Sequence, residues 1–128
     1  MAAAITMPEN DRAKISKMLI TLFEHWKLST KDQLNLLGHA IENRSLLKRY
    51  KEGSPISNDR DKLERAGILL DIHTSLRILF PANRDLANAW MTTPNRAFNG
   101  FTPVKIVEQQ GMFGLYCIRT YLNKQRDS

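Results

Sequence analysis

The stretch RAKISKMLITLFEHW, Arg12 to Trp26, decides the fold class. Ile15, Met18, Leu19, Leu22, Phe23 and Trp26 recur at spacings of three and four, the repeat of one buried face of an α-helix. Lys14, Lys17, Glu24 and Lys27 fall mostly off that stripe, and Asn10 or Asp11 is placed to cap its start by accepting a free backbone N–H. The same pattern continues downstream. Ser29 or Thr30 caps a second helix, with Leu34, Leu36 and Leu37 inward and Gly38 as its stop. A third is expected from near Glu42 or Asn43 to Gly53, carrying Leu46, Leu47 and Tyr50. Gly53-Ser54-Pro55 is the clearest break, because Pro55 disfavours a helical Ser54. A long helix from Ser57 or Asn58 to about Phe80 follows, with Leu63, Ala66, Gly67, Leu70, His73, Thr74 and Arg77 tracing one row and Leu69, Ile72 and Leu76 beside it. Pro81 ends it. Asn83 caps a short helix reaching Trp90, and Thr102-Pro103 opens another. After Gly111 a last helix carries Phe113, Leu115, Tyr116, Ile118, Tyr121 and Leu122. No segment alternates apolar with polar residues for long enough to indicate a sheet. The expectation is an all-α chain of about seven helices in two units, residues 1–56 and 57–128.

Composition narrows the function classes. With 128 residues, 42% hydrophobic and 25% charged, the chain has ordinary globular usage rather than that of a disordered segment. Nineteen Lys and Arg against thirteen Asp and Glu leave a formal charge of +6, which favours an anionic partner. The one cysteine, Cys117, excludes an internal disulfide and sits among Leu115, Tyr116 and Ile118, as a small buried hydrophobe would. His25, His39 and His73 have no Cys or carboxylate at ligand spacing, so no metal or other cofactor is expected. Phosphate loops, nucleophile elbows and zinc-protease motifs are absent, and Asp59 and Asp61 read as helix N-terminal acids. No catalytic residue emerges, so the chain is not expected to be an enzyme. No apolar run approaches the ~18 residues of a membrane span. Met1 to Met7 lack the basic and apolar regions of a signal peptide, and a cytoplasmic location follows as an expectation.

Two constellations remain. The second and third helices with their turn suggest a helix-turn-helix. Arg44, Lys48 and Lys51 lie at i, i+4 and i+7 on one face, Arg49 is close by, and Asn43, Arg44 and Ser45 stand at the end that meets base edges. Arginine there suits guanine and the lysines suit phosphates. On composition alone, a solvated cationic face beside Glu42 and Glu52 is the simpler account. The second constellation is the turn-rich stretch from Trp90 to Val104. Trp90 and Phe98 are expected to drop into the core there, with Gly100 at positive φ and Thr102 as a cap.

The pattern Trp90-x-x-x-Pro94-Asn95-x-x-Phe98-x-Gly100-x-Thr102-Pro103, followed by Leu115-Tyr116-x-x-Arg119-x-Tyr121-Leu122 and Arg126, resembles the toxin-binding domain of Xre/MbcA/ParS-type antitoxins. Leu36-Leu37-Gly38, Lys48-Arg49-Tyr50-Lys51-x-Gly53 and the apolar spacing from Ile68 to Phe80 are similar to that family's Xre-like helix-turn-helix and the helix after it. The resemblance spans roughly residues 16 to 126. It implies an N-terminal Xre-like helix-turn-helix bundle followed by a small helical toxin-binding domain. It also implies an antitoxin that obstructs the active site of a RES-domain toxin, an NAD-consuming relative of ADP-ribosyltransferases. Pro94, Asn95, Phe98, Tyr116, Arg119 and Arg126 are the toxin-binding residues it points to. Binding to the chain's own promoter DNA and a homodimer within a toxin–antitoxin complex are implied as well. The chain departs from the family pattern at His39-Ala40-Ile41-Glu42, where an acidic Glu42 opposes DNA phosphate. The alternative, from another class, is a stand-alone helix-turn-helix transcriptional regulator without a toxin partner.

Overall fold

The computed structural model describes residues 7–128, so the signal-peptide expectation on Met1–Met7 falls almost wholly outside the described residues. Among them are seven α-helices and no strand. Helix α1 (Glu9–His25) begins directly after Pro8 with no side-chain cap, so neither Asn10 nor Asp11 caps it. Instead Glu9 and Asp11 lie in the first turn, where their charge suits the helix dipole. The buried face is Ser16, Leu19, Ile20, Leu22 and Phe23, with Trp26 just beyond; Met18, expected inward, is 52% exposed. The stripe is turned because α1 is gripped by two helices, α3 and α4, rather than one.

Helix α2 (Thr30–Leu37) starts where Ser29 Oγ accepts the Asp32 N–H at 3.1 Å and stops at Gly38, φ 81°. A 3-10 turn over Ile41–Asn43 precedes α3 (Ser45–Lys51), which is shorter at both ends than expected. Helix α4 (Arg60–Leu79) is capped by Asp59, whose carboxylate accepts the Asp61 N–H at 2.9 Å. Its buried row is Ala66, Ile68, Leu69, Ile72, Ser75 and Leu76. Gly67, Thr74 and Arg77 are exposed and Leu63, Leu70 and His73 half-buried, so the inward row is rotated from the expected one. Helix α5 (Arg84–Ala89) is capped by Asn83. Two 3-10 turns, Trp90–Thr92 and Arg96–Phe98, lead to α6 (Pro103–Gln110), opened by Thr102 Oγ1 accepting the Lys105 N–H at 3.1 Å. Helix α7 (Met112–Arg126) buries Gly114, Leu115, Ile118 and Leu122.

Helix α4 is the spine. Helix α7 packs along it, α6 packs on α7, and α2 bridges α4 and α6, while α1 joins α3 to α4. One cluster of buried side chains runs from Leu19, Phe23 and Trp26 through Leu36, Ile56 and Leu69 to Leu115 and Leu122. Its apolar burial is the main favourable contribution to folding. Arg65 adds a polar stitch. Its guanidinium donates to the carbonyls of Asn35 and Leu36 in the last turn of α2 and to Asp61, tying the end of α2 to α4.

Candidate functional site

Residues 90–102 form the rim of the C-terminal half. The Asn95 side chain accepts the Ala97 N–H at 2.9 Å, its carbonyl accepts the Gly100 N–H at 2.9 Å, and its own N–H donates to the Phe101 carbonyl at 3.1 Å. Asn95 therefore shapes the loop, and Asn99 and Gly100, at φ 56° and 85°, close it as the turn chemistry requires. Pro94 is exposed beside it. Trp90, expected in the core, is half-buried. It stacks on Tyr121 at 6.2 Å between ring centroids and meets Phe98 edge-on at 6.3 Å, while Phe98 and Tyr121 contact edge-on at 5.3 Å. The three rings pin the loop to α7 at the edge of the core, not inside it.

The residues of α7 divide between two sides. Tyr116, Arg119 and Arg126 face α4. The Tyr116 hydroxyl donates to Glu64, and that hydrogen bond, with burial and the carboxylate charge, raises the phenol's pKa. Arg119 lies 3.6 Å from Asp71 and 5.1 Å over the Tyr116 ring. The Arg126 guanidinium donates to Ser75 Oγ, a fully buried hydroxyl, at 3.2 Å. Phe113, Cys117, Thr120 and Lys124 recur at i, i+4, i+7 and i+11 on the other side. They line an open groove of about 390 Å³ with Phe98, Tyr116 and Tyr121. Phe113, expected inward, is 67% exposed, and Cys117 is half-buried rather than a core residue. The core needs only Gly114, Leu115, Ile118 and Leu122 from this helix, which leaves Phe113 and Cys117 on its outer edge. Phe98 and Tyr116 thus share a groove, whereas Arg119 and Arg126 are held on the opposite edge. Phe101, 43% exposed, lines an adjoining hollow with Phe98 and Cys117. Sequence reasoning passed over Phe101 and Phe113 as site residues. The available signal was a last helix with more large apolar side chains than one inward face can use.

On the N-terminal half, Asn43, Arg44, Ser45, Lys48, Arg49 and Lys51 are all exposed. Lys51 Nζ bonds Glu24 at 3.0 Å, so its charge is partly neutralised, and exposed Glu42 lies in the 3-10 turn before the helix. Among the described residues, no group of three His, Cys, Asp or Glu side chains could hold a metal ion, and no helix is long and apolar enough to cross a membrane.

The family model for the antitoxin Xre/MbcA/ParS C-terminal toxin-binding domain matches residues 75–127. Residues 75–127 belong to the Xre/MbcA/ParS antitoxin C-terminal toxin-binding domain family. It is also 32% identical over 122 residues to the uncharacterized protein y4oB of Sinorhizobium fredii (strain NBRC 101917 / NGR234), an alignment covering 93% of this chain and 92% of that protein. The matched domain begins at Ser75 inside α4 and takes in α5, the two 3-10 turns, α6 and α7. It is a toxin-binding antitoxin domain, so the antitoxin's partner is a toxin. The aromatic trio and the outer groove both fall within it. The cationic residues of α3 lie outside it.

Proposed function

We propose that this antitoxin neutralises a RES-domain, NAD-consuming toxin in the cytoplasm by seating its C-terminal unit over the toxin's active site. The observation that carries the reading is the coincidence of the matched domain with the Trp90–Phe98–Tyr121 framework, which holds a loop and α7 as one rigid surface. Pro94, Asn95, Phe98, Tyr116, Arg119 and Arg126 belong to that surface or its edge. An NAD cleft needs carboxylates near the nicotinamide ribose, and Arg119 or Arg126 suits such a group as a charge-assisted pair. Each would exchange its present partner on α4, Asp71 or Ser75, for the toxin's carboxylate. Promoter binding is the second activity, by Asn43, Arg44, Ser45, Lys48, Arg49 and Lys51, as a homodimer. What supports it is that all six are exposed on or beside one short helix.

Co-expression with a RES-domain toxin tests the first part. Wild-type antitoxin should restore growth and cellular NAD, and a host that still dies with abundant soluble antitoxin would refute it. Mobility shifts on the upstream region test the second. Lys48→Ala should lower the magnitude of the salt slope by about 0.9 for each phosphate that the lysine had neutralised. Identical shifts for wild type and an Arg44→Ala, Lys48→Ala, Lys51→Ala triple variant would remove the DNA activity and leave neutralisation standing.

A further inference from the structure

Helix α7 shows a second face that no fold requirement explains. Phe113 is 67% exposed and Phe101 43%, and Cys117 lies between the two hollows they border. Isolated apolar side chains on a surface are ordinary, but here two phenylalanines, Phe98 and a half-buried cysteine are contiguous. No acidic side chain lines either hollow, and Lys124 closes one end. The Tyr116, Arg119 and Arg126 edge is already engaged by Glu64, Asp71 and Ser75 of α4. Of the residues lining the groove, Tyr116 alone shares in those contacts.

We propose, resting on the reading of this chain as a toxin-neutralising antitoxin, that the toxin docks an apolar segment flanked by a carboxylate into the groove between the Arg96–Phe98 turn and the Phe113–Lys124 side of α7. Phe113 is the anchor, Phe101 and Phe98 form the walls, and Lys124 meets the carboxylate. Aromatic side chains at the centre of an interface carry a disproportionate share of binding, because they desolvate a large rigid area at small entropic cost. Lys124, the one charged side chain that lines either hollow, selects an occupant of negative rather than positive charge. The matched toxin-binding domain contains every residue of this groove, which is why a toxin, and not a second copy of the chain, is the occupant.

The test uses the full-length antitoxin and a catalytically inactivated RES-domain toxin, with binding measured by calorimetry. Phe113→Asp should weaken toxin binding about 30-fold or more, and Phe113→Leu far less. Met18→Asp, on the distant α1 surface, should leave binding unchanged. The single thiol gives a reading free of mutation. Maleimide labelling of Cys117 should slow about tenfold or more in the complex, since the groove would be covered. Toxin binding by wild type that is indifferent to Phe113→Asp, with Cys117 labelled as fast as in the free chain, overturns the groove and leaves the antitoxin reading intact. Failure of wild type to bind overturns both. Loss of a homodimer in Phe113→Asp with toxin affinity unchanged assigns the groove to a second copy and also overturns the proposal.

Discussion

Lys27 sits in the left-handed region at φ 54°, one residue past the C-cap of α1, where the Leu28 N–H reaches back to the Phe23 carbonyl at 3.1 Å. That is glycine's usual position in this kind of helix stop, since a Cβ crowds the following carbonyl. Lys27→Gly should therefore raise stability by about 0.5–1 kcal/mol in urea titrations, the strain relieved exceeding glycine's added freedom in the unfolded chain. A loss of stability would mean that the Lys27 side chain makes contacts worth more than its backbone strain. Trp90 bears on a different balance. Because it is half-buried against two rings rather than enclosed, Trp90→Ala should cost about 2–4 kcal/mol, with the loop from Pro94 to Gly100 loosened along with it. Thermal unfolding and proteolysis of the 90–102 loop read the two effects separately. The fully enclosed tryptophan is Trp26, at the far end of α1.

At the scale of elements, the crossing of α6 and α7 depends on a residue whose role the sequence did not disclose. A Cβ on Gly114 would stand 2.8 Å from the Ile106 carbonyl oxygen and 3.1 Å from Val107 Cα, both backbone atoms that cannot swing aside. Gly67, within α4, would place its Cβ in open space. The same substitution should thus have opposite signs in two helices. Gly114→Ala should destabilise by about 1–3 kcal/mol despite alanine's better helix propensity. Gly67→Ala should stabilise by about 0.5–1 kcal/mol. Denaturant midpoints decide it, and a stabilising Gly114→Ala would mean that the helices can separate without loss. Helix existence was legible throughout, because Ser29, Asn83, Thr102-Pro103 and Gly38 are punctuation that acts locally. Helix rotation was not. Met18 and Phe113 turned outward, and Ser16 and Ser75 inward, because the buried arc depends on how many neighbours each helix meets. Likewise Arg65 binds carbonyls 29 and 30 residues away, a pairing that no local spacing encodes.

Across the whole molecule, two imidazoles on different elements make stability respond to pH in the same direction. The rim of the site was legible in Asn95, Gly100 and Thr102, whose turn chemistry is local; which edge of α7 stays uncovered depended on α4 and had to come from the packed chain. The histidines are a comparable case, because their surroundings are assembled from distant segments. His39, in the turn after α2, has its pKa lowered by burial first and then by the charges of Lys62 and Arg65, which outweigh Asp61 and Asp59. Its Nε2 is buried with no protein hydrogen-bond partner, so a proton placed there would find no acceptor. His73 on α4 is lowered by burial, then by Arg77 and His25. In the unfolded chain both titrate near 6.5. As pH falls through that value the unfolded state takes up protons that the folded state resists, so stability present above about pH 7 is progressively lost. The loss levels off once pH has passed below the depressed folded values. It should resume at lower pH through Asp61. Burial alone would raise that carboxyl, but the hydrogen bond from Lys62 and the charges of Arg65 and Lys62 outweigh it and hold the pKa below its ordinary value. Urea midpoints taken between pH 7.5 and 5 should therefore decline, and a His39→Gln, His73→Gln double variant should flatten that window while retaining the acid limb. A flat wild-type profile between those limits, or an undiminished slope in the double variant, would exclude the two histidines as the source.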